Sequence, residues 1–154
     1  MKRSIVDFGE DAQGDWYAVL DCAHRQHVRH RPPFTKRPWV TSAAGRAGKL
    51  GEQLDCLRCD RFEWPDEIRM YKRTPDFDQH SVPRGLQADH QTRAGVWGRI
   101  VIEDGSLRYH VDQKDVHRDL AAHTFGVIVP QLVHRVEITG DVRFFVEFHA
   151  LPKP

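Results

Sequence analysis

The stretch VWGRIVIEDGSLRYHV, residues 96–111, sets two strand-length runs on either side of an Asp104-Gly105 step. In the second run Leu107, Tyr109 and Val111 alternate with Arg108 and His110, the period-two pattern of a strand with one buried face. An Asp-Gly pair supplies the positive-φ backbone of a tight turn, so the stretch predicts a β-hairpin. Three further short runs follow, Phe125 to Val129, His134 to Ile138 and Val142 to Phe148, separated by Pro130 and by Gly140-Asp141. That rhythm belongs to a sandwich or barrel, so the expected fold class is mainly β.

Upstream the texture changes. Ile5, Val6 and Phe8 precede a turn region between Gly9 and Gly14, and Trp16, Ala18 and Leu20 then recur at every second position, which reads as a hairpin. A further extended run, His27 to His30, stops at Pro32-Pro33, whose missing N–H groups forbid a central strand or a continuing helix. From Thr41 a short helix is expected, weakened by Gly45, Gly48 and Gly51 at about 1 kcal/mol each relative to alanine. The pair Cys56 and Cys59 is placed at its end. Residues 62–83, punctuated by Pro65, Pro75 and Pro83, read as loop. Two modules result, a small α+β unit over residues 1–62 and a β-barrel over residues 63–154.

All three cysteines lie in the first module, and an odd count without a secretion signal argues against a disulfide framework. Cys22-Ala-His24 and Cys56-Leu-Arg-Cys59 form two short-spaced pairs, and four ligands are what tetrahedral zinc takes. Joining two such chelates clips a long loop and stabilises a module too small to hold a substantial core. His27 and His30 compete with His24 for the fourth position. The alternative is that the cysteines are ordinary reduced thiols. A redox role for Cys56 and Cys59 is disfavoured by their expected place at the end of a helix, since thioredoxin-like pairs open one.

The charge balance excludes little. The chain holds 23 basic and 22 acidic residues, with 11 basic and 8 acidic of these before Phe62. A net +3 on the first module permits a nucleic-acid partner without a dense basic face to demand one. No apolar run approaches the roughly 18 residues of a membrane span, and the N-terminus has no apolar core of a secretory signal, so a cytoplasmic protein without a membrane partner is expected.

Two resemblances add to this reading. At LDCAHRQHVRHRPPFTKRPWV, residues 20–40, and LDCLRCD, residues 54–60, the chain resembles a small bacterial domain family of unknown function that shares the Cys-x-His, the histidines before Pro-Pro and the closing CxxC. It implies the metal module and no activity. The second part is similar to the cupin-type domain of tellurite-resistance protein B and its stand-alone relatives. The residues that carry this likeness include Tyr71 to Pro75, Asp89 to Gly98, Glu103 to Leu107, Val129 to Gln131, His134 to Val136 and Phe145 to Phe148. It implies a double-stranded cupin barrel and a stress or detoxification setting, and leaves the reaction open. In long members a methyltransferase domain follows; here the sequence stops at Pro154, so methyl transfer is not expected to come with the resemblance.

Cupins commonly hold a divalent metal through a His-x-His and a glutamate on one hairpin and a later histidine. Here the corresponding first-hairpin positions fall on Gln91 or Thr92, Arg93 or Ala94, and Gly98, none a usual ligand. His134 survives and His90 is shared with the tellurite-resistance relatives. A reduced site of His90 and His134, completed by Glu147 or His110, would take a second divalent metal with positions open for substrate. Alternation on the last strand sets Glu147 opposite Val142, Phe144, Val146 and Phe148, so it serves only if the cavity lies on its side. A hydrogen-bonded, metal-free His134 is the other reading.

No catalytic residue is assigned. The leading expectation is a metal-binding stress-response protein whose barrel binds a small molecule or oxyanion, with Thr92, Arg93 and Trp97 as ligand-binding candidates, although Trp97 also suits the core. The rival is an interaction module using Arg25, Arg29, Arg31, Lys36 and Arg37 interleaved with Phe34 and Trp39 on nucleic acid or protein. A metal-dependent cupin enzyme is third. Edge strands of a small barrel invite pairing across a homodimer.

Overall fold

The computed structural model describes residues 1–154, which divide into two compact units, Met1–Asp66 and Glu67–Pro154. The chain is mainly β.

In the first unit, β1 (Lys2–Glu10) and β2 (Trp16–Leu20) form the expected antiparallel hairpin, and β3 (Arg25–His27) and β4 (Gln53–Asp55) complete a sheet of order β3-β2-β1-β4. The Asp11 carboxylate closes the hairpin by accepting from the N–H groups of Gln13 and Asp15, both at 2.9 Å. Ile5, Ala18, Leu20, Val28 and Val40 are buried, a core of small and medium side chains only. Helix α1 (Ala43–Ala47) starts one residue later than the sequence suggested, with Ser42 rather than Thr41 accepting from the Gly45 N–H at 3.0 Å. Gly45 is there for space, because a Cβ would stand 2.1 Å from the Trp39 carbonyl oxygen.

The expected position of the CxxC pair is overturned. Cys56 follows β4 and caps the short helix α2 (Leu57–Asp60), so the pair opens a helix instead of closing one. Gly51, at φ +84°, lets the chain turn back into β4 before that second helix begins.

In the second unit, β5 (Arg69–Arg73) and β6 (Phe77–Asp78) lie inside the segment read as loop. Helix α3 (Arg84–Gln87) follows, then β7 (Trp97–Val111), β8 (Val116–Ala121), β9 (Phe125–Ile128), β10 (Arg135–Glu137) and β11 (Val142–Ala150). They form a seven-stranded antiparallel sheet along β10-β7-β11-β5, with β6 on β11 and β8 and β9 on β7.

The Asp104-Gly105 step is not a hairpin tip. β7 runs unbroken through it, and the turn lies later, at Asp112–Asp115, where Asp115 adopts φ 50°. Against β11 the register slips between Arg143, opposite Asp104, and Phe144, opposite Ile102, so β7 carries one extra residue there. The extra residue is Glu103; beside it Gly105 takes φ +71° opposite Val142, and a Cβ on it would lie 1.9 Å from the Asp141 carbonyl oxygen. The extra residue changes which parity faces inward: Gly98, Ile100 and Ile102 are buried before it, and Leu107, Tyr109 and Val111 after it.

Gly105→Ala is accordingly expected to destabilise the second unit by about 2–4 kcal/mol, through a left-handed alanine and a backbone clash together. Urea unfolding followed by tryptophan fluorescence measures it, and a loss below about 0.5 kcal/mol would contradict the bulge.

Candidate functional site

Topology gathers the first group of candidates. β2 and β4 both run antiparallel to the central β1 and both end beside its start. The residues just after each, Cys22 and Cys56, therefore arrive at one end of the sheet. The Asp21 N–H donates to the Ser4 carbonyl at 2.8 Å, and the Cys56 N–H donates to the Met1 carbonyl at 2.8 Å. Ala23 adopts φ 69°, which folds Cys22 and His24 round one turn, closed by the Ala23 N–H on the Leu20 carbonyl at 2.8 Å.

Cys22, His24, Cys56 and Cys59 are all buried and lie close enough to hold one metal ion. His24 Nδ1 stands 3.5, 3.2 and 3.6 Å from the sulfurs of Cys22, Cys56 and Cys59, and the Cys22 and Cys56 sulfurs are 3.8 Å apart. A tetrahedron with metal–sulfur bonds of about 2.3 Å and a metal–nitrogen bond of about 2.0 Å requires roughly 3.8 Å between sulfurs and 3.5 Å from sulfur to nitrogen. His24 Nε2 lies 3.0 Å from the Glu63 carbonyl oxygen, which fixes the proton on Nε2 and leaves Nδ1 as the donor atom. Cys56, accepting from Cys22, is pulled far below the ordinary thiol range, while Cys22 is pushed well above it by the same hydrogen bond. A divalent cation removes that conflict by favouring all three thiolates.

The competing histidines are elsewhere. His27 Nε2 pairs with Asp11 at 2.8 Å, and His30 Nδ1 accepts the Arg37 N–H at 2.9 Å.

The second group lines a cavity of about 500 Å³ in the second unit. Ile100, Ile128, Val136, Val146 and Phe148 form apolar walls, and His90, Thr92, Arg93, His134 and Lys72 supply polar groups. His90 and His134 face each other across an isolated β-bridge, each donating its N–H to the other's carbonyl at 3.1 and 2.9 Å, with ring centroids 4.2 Å apart. Both rings place Nδ1 on a carbonyl two residues earlier, Ala88 at 2.8 Å and Leu132 at 2.9 Å. In the neutral ring this puts the proton on Nδ1 and leaves Nε2 as an acceptor. His134 is 2% exposed and its Nε2 has no hydrogen-bond partner. Burial pulls its pKa down from 6.5 to about 4, so the ring is neutral at physiological pH.

Three expected members of this group fall outside it. Glu147 does not join His90 and His134, because Val146 and Phe148 on either side of it face the cavity. Its carboxylate accepts from His149 Nε2 at 2.9 Å instead. No carboxylate lines the cavity, and the three-ligand metal set does not assemble. Trp97 is fully buried but absent from the lining, on the opposite parity from Gly98 and Ile100. His110 is likewise outside, as the bulge turns it away. Tyr71 and Lys72, which do line the cavity, come from the exposed strand β5, whose RMYKR sequence carries no alternation to reveal it.

The basic and aromatic surface of the first unit is largely engaged internally. Arg29 and Arg31 both pair with Asp15, at 2.8 and 3.1 Å, Arg25 lies over the Tyr17 ring at 4.5 Å, and Trp39 packs edge-on to Phe8 at 5.9 Å. Phe34 remains 95% exposed at the tip of a loop closed by mutual Arg31 and Thr35 backbone bonds. No helix is long and apolar enough to cross a membrane.

Residues 6–63 match the family described as a protein of unknown function (DUF3565), and residues 72–146 match the TehB-like domain. Two curated proteins named probable S-adenosyl-L-methionine-dependent methyltransferase TehB, from Haemophilus influenzae strains Rd and 10810, are 30% and 29% identical over 84 residues. The alignment takes in 49% of this chain and 28% of each relative, so the chain spans less than a third of the length of the curated relatives it matches. The crystal structure of TehB from Haemophilus influenzae superimposes with a TM-score of 0.52 at 24% identity, over 56% of this chain and 32% of that one. A crystal structure of a protein from E. coli strain K12 gives 0.53 at 25% identity, over 59% of this chain and 98% of that one. The chain thus carries two family domains in tandem, a DUF3565 domain of unknown function followed by a TehB-like domain.

Proposed function

We propose that the protein is a small-molecule binder of a stress-response type, in which a structural zinc module is joined to a cupin-like barrel with a metal-free binding cavity. One observation carries the binding role: His134, whose buried Nε2 has no hydrogen-bond partner, is among the residues that line a cavity of about 500 Å³. A bare acceptor costs about 1–3 kcal/mol when left unsatisfied, which a ligand donating O–H or N–H would recover. The apolar walls favour an organic body over a bare inorganic oxyanion, and Lys72 and Arg93 favour an acidic group on it. A small organic acid that also carries a hydroxyl or amide donor meets all three requirements. The likeness of the second unit to the TehB-like domain supports a role under chemical stress. Three buried thiols facing one imidazole suit a reducing setting such as the cytoplasm.

Zinc is the metal that three thiolates and one imidazole in a closed, buried tetrahedron favour. Purified protein is expected to contain about one zinc per chain by elemental analysis, lost in Cys59→Ser, with the first unit unfolding on chelation. Intact first-unit circular dichroism in the metal-stripped protein would refute the structural role.

For the cavity, thermal shifts with salicylate, hexanoate and tellurite as probes separate the ligand classes. Salicylate is expected to raise the melting temperature in proportion to the logarithm of its concentration, with the effect lost in His134→Ala. A shift with tellurite alone would overturn the organic reading.

The His134 ring is also expected to stay neutral, protonated on Nδ1, down to about pH 4 in nitrogen-detected NMR. Because its folded pKa lies below its ordinary value, the unfolded chain binds more protons between pH 6.5 and 4. The corresponding stability, about 3 kcal/mol, is therefore full above pH 6.5 and lost as pH falls through that window. A His134→Gln variant with an unchanged pH profile of unfolding would contradict it.

A further inference from the structure

Beyond the bulge in β7, Arg108, His110 and Asp112 share the parity opposite Tyr109, with His110 buried and the other two exposed, and the register sets His117 of β8 and Arg135 of β10 directly opposite His110. The result is a polar patch across three strands, outside the cavity and unrelated to the cysteine cluster.

The hydrogen bonds in this patch aim two ring nitrogens at one point. His110 Nε2 lies 2.7 Å from Glu137 Oε2, and a ring bonded to a carboxylate keeps its proton on that nitrogen, which leaves Nδ1 as an acceptor. His117 Nε2 stands 3.6 Å from Asp115 Oδ1, beyond hydrogen-bond distance. The two Nδ1 atoms meet at 2.7 Å, bridged by one proton of His117 or by a metal ion in its place. A proton takes two partners; a transition-metal ion takes three or more, and a third is present. Asp112 Oδ1 stands 3.9 Å from His117 Nδ1, and the ligand atoms of the three residues all lie within 4.8 Å of one another. The other oxygen of Asp112 accepts from Arg135, whose guanidinium holds the carboxyl below the usual carboxylate range.

We infer that His110 Nδ1, His117 Nδ1 and Asp112 Oδ1 form a surface site for a divalent transition-metal ion, oriented from behind by Glu137 and Arg135. Two imidazoles and one carboxylate suit zinc, cobalt, nickel or copper and leave coordination positions open to water or an anion. The inference does not depend on what fills the cavity.

Cobalt(II) titrated into the full-length, zinc-containing protein tests it by visible spectroscopy. The expected result is one further equivalent with weak ligand-field bands and no thiolate charge-transfer band, which separates it from the cysteine cluster. His117→Ala, and His117→Gln with a similar polar reach, should each weaken that equivalent by about tenfold or more, whereas His134→Ala should leave it intact. The absence of a further equivalent, its survival in both His117 variants, or its loss in His134→Ala would overturn the site.

Discussion

One extra residue in β7 governs the second unit. Without it, the parity that buries Ile100 and Ile102 would continue and turn His110 toward the interior, with Tyr109 outward. With it, Tyr109 is buried and its hydroxyl donates to the Val127 carbonyl at 2.9 Å, while His110, also buried, turns from the cavity toward His117 and Glu137. The same strand serves β11 and β9 with its first half and β8 and β10 with its second. The cavity wall and the outer histidine patch are thus two results of a single change in register.

The first unit depends on convergence instead of pattern. Its buried side chains are few, and no large aromatic ring stands among its fully buried residues. What replaces a larger core is a cluster of four ligand side chains from two segments, each pinned to β1 by backbone hydrogen bonds. The TehB-like domain needs no such device, since Trp97, Phe144, Ile100 and Leu107 are almost wholly enclosed.

The sequence made some of this legible and hid the rest for identifiable reasons. The β1–β2 hairpin, β9, β10 and β11 follow from their strand-length apolar runs, and the clustering of Cys22, His24, Cys56 and Cys59 from spacing. β5 and β8 carry no period-two apolar signal, because RMYKR is exposed throughout and VHRDLA buries only Leu120. Asp104-Gly105 misled because a positive-φ glycine serves a bulge as well as a tight turn, and only the partner strand distinguishes them. His90 and His134 were visible as a pair. Their hydrogen bonds to carbonyls two residues upstream, which decide what each ring can offer a ligand, were not. The pairing of His110 with His117 required a register that only β8 supplies.

The position of β11 has a consequence for synthesis. It pairs with β5, β6 and β7, so the sheet of the second unit cannot close until residues 142–150 have left the ribosome. The last ligand of the first unit, Cys59, emerges more than eighty residues earlier. The nascent chain can therefore hold all of the first unit while β7, with its apolar run from Ile100 to Ile102, waits for its partner. That interval is when the unpaired strand is most open to capture by chaperones or by another copy of itself.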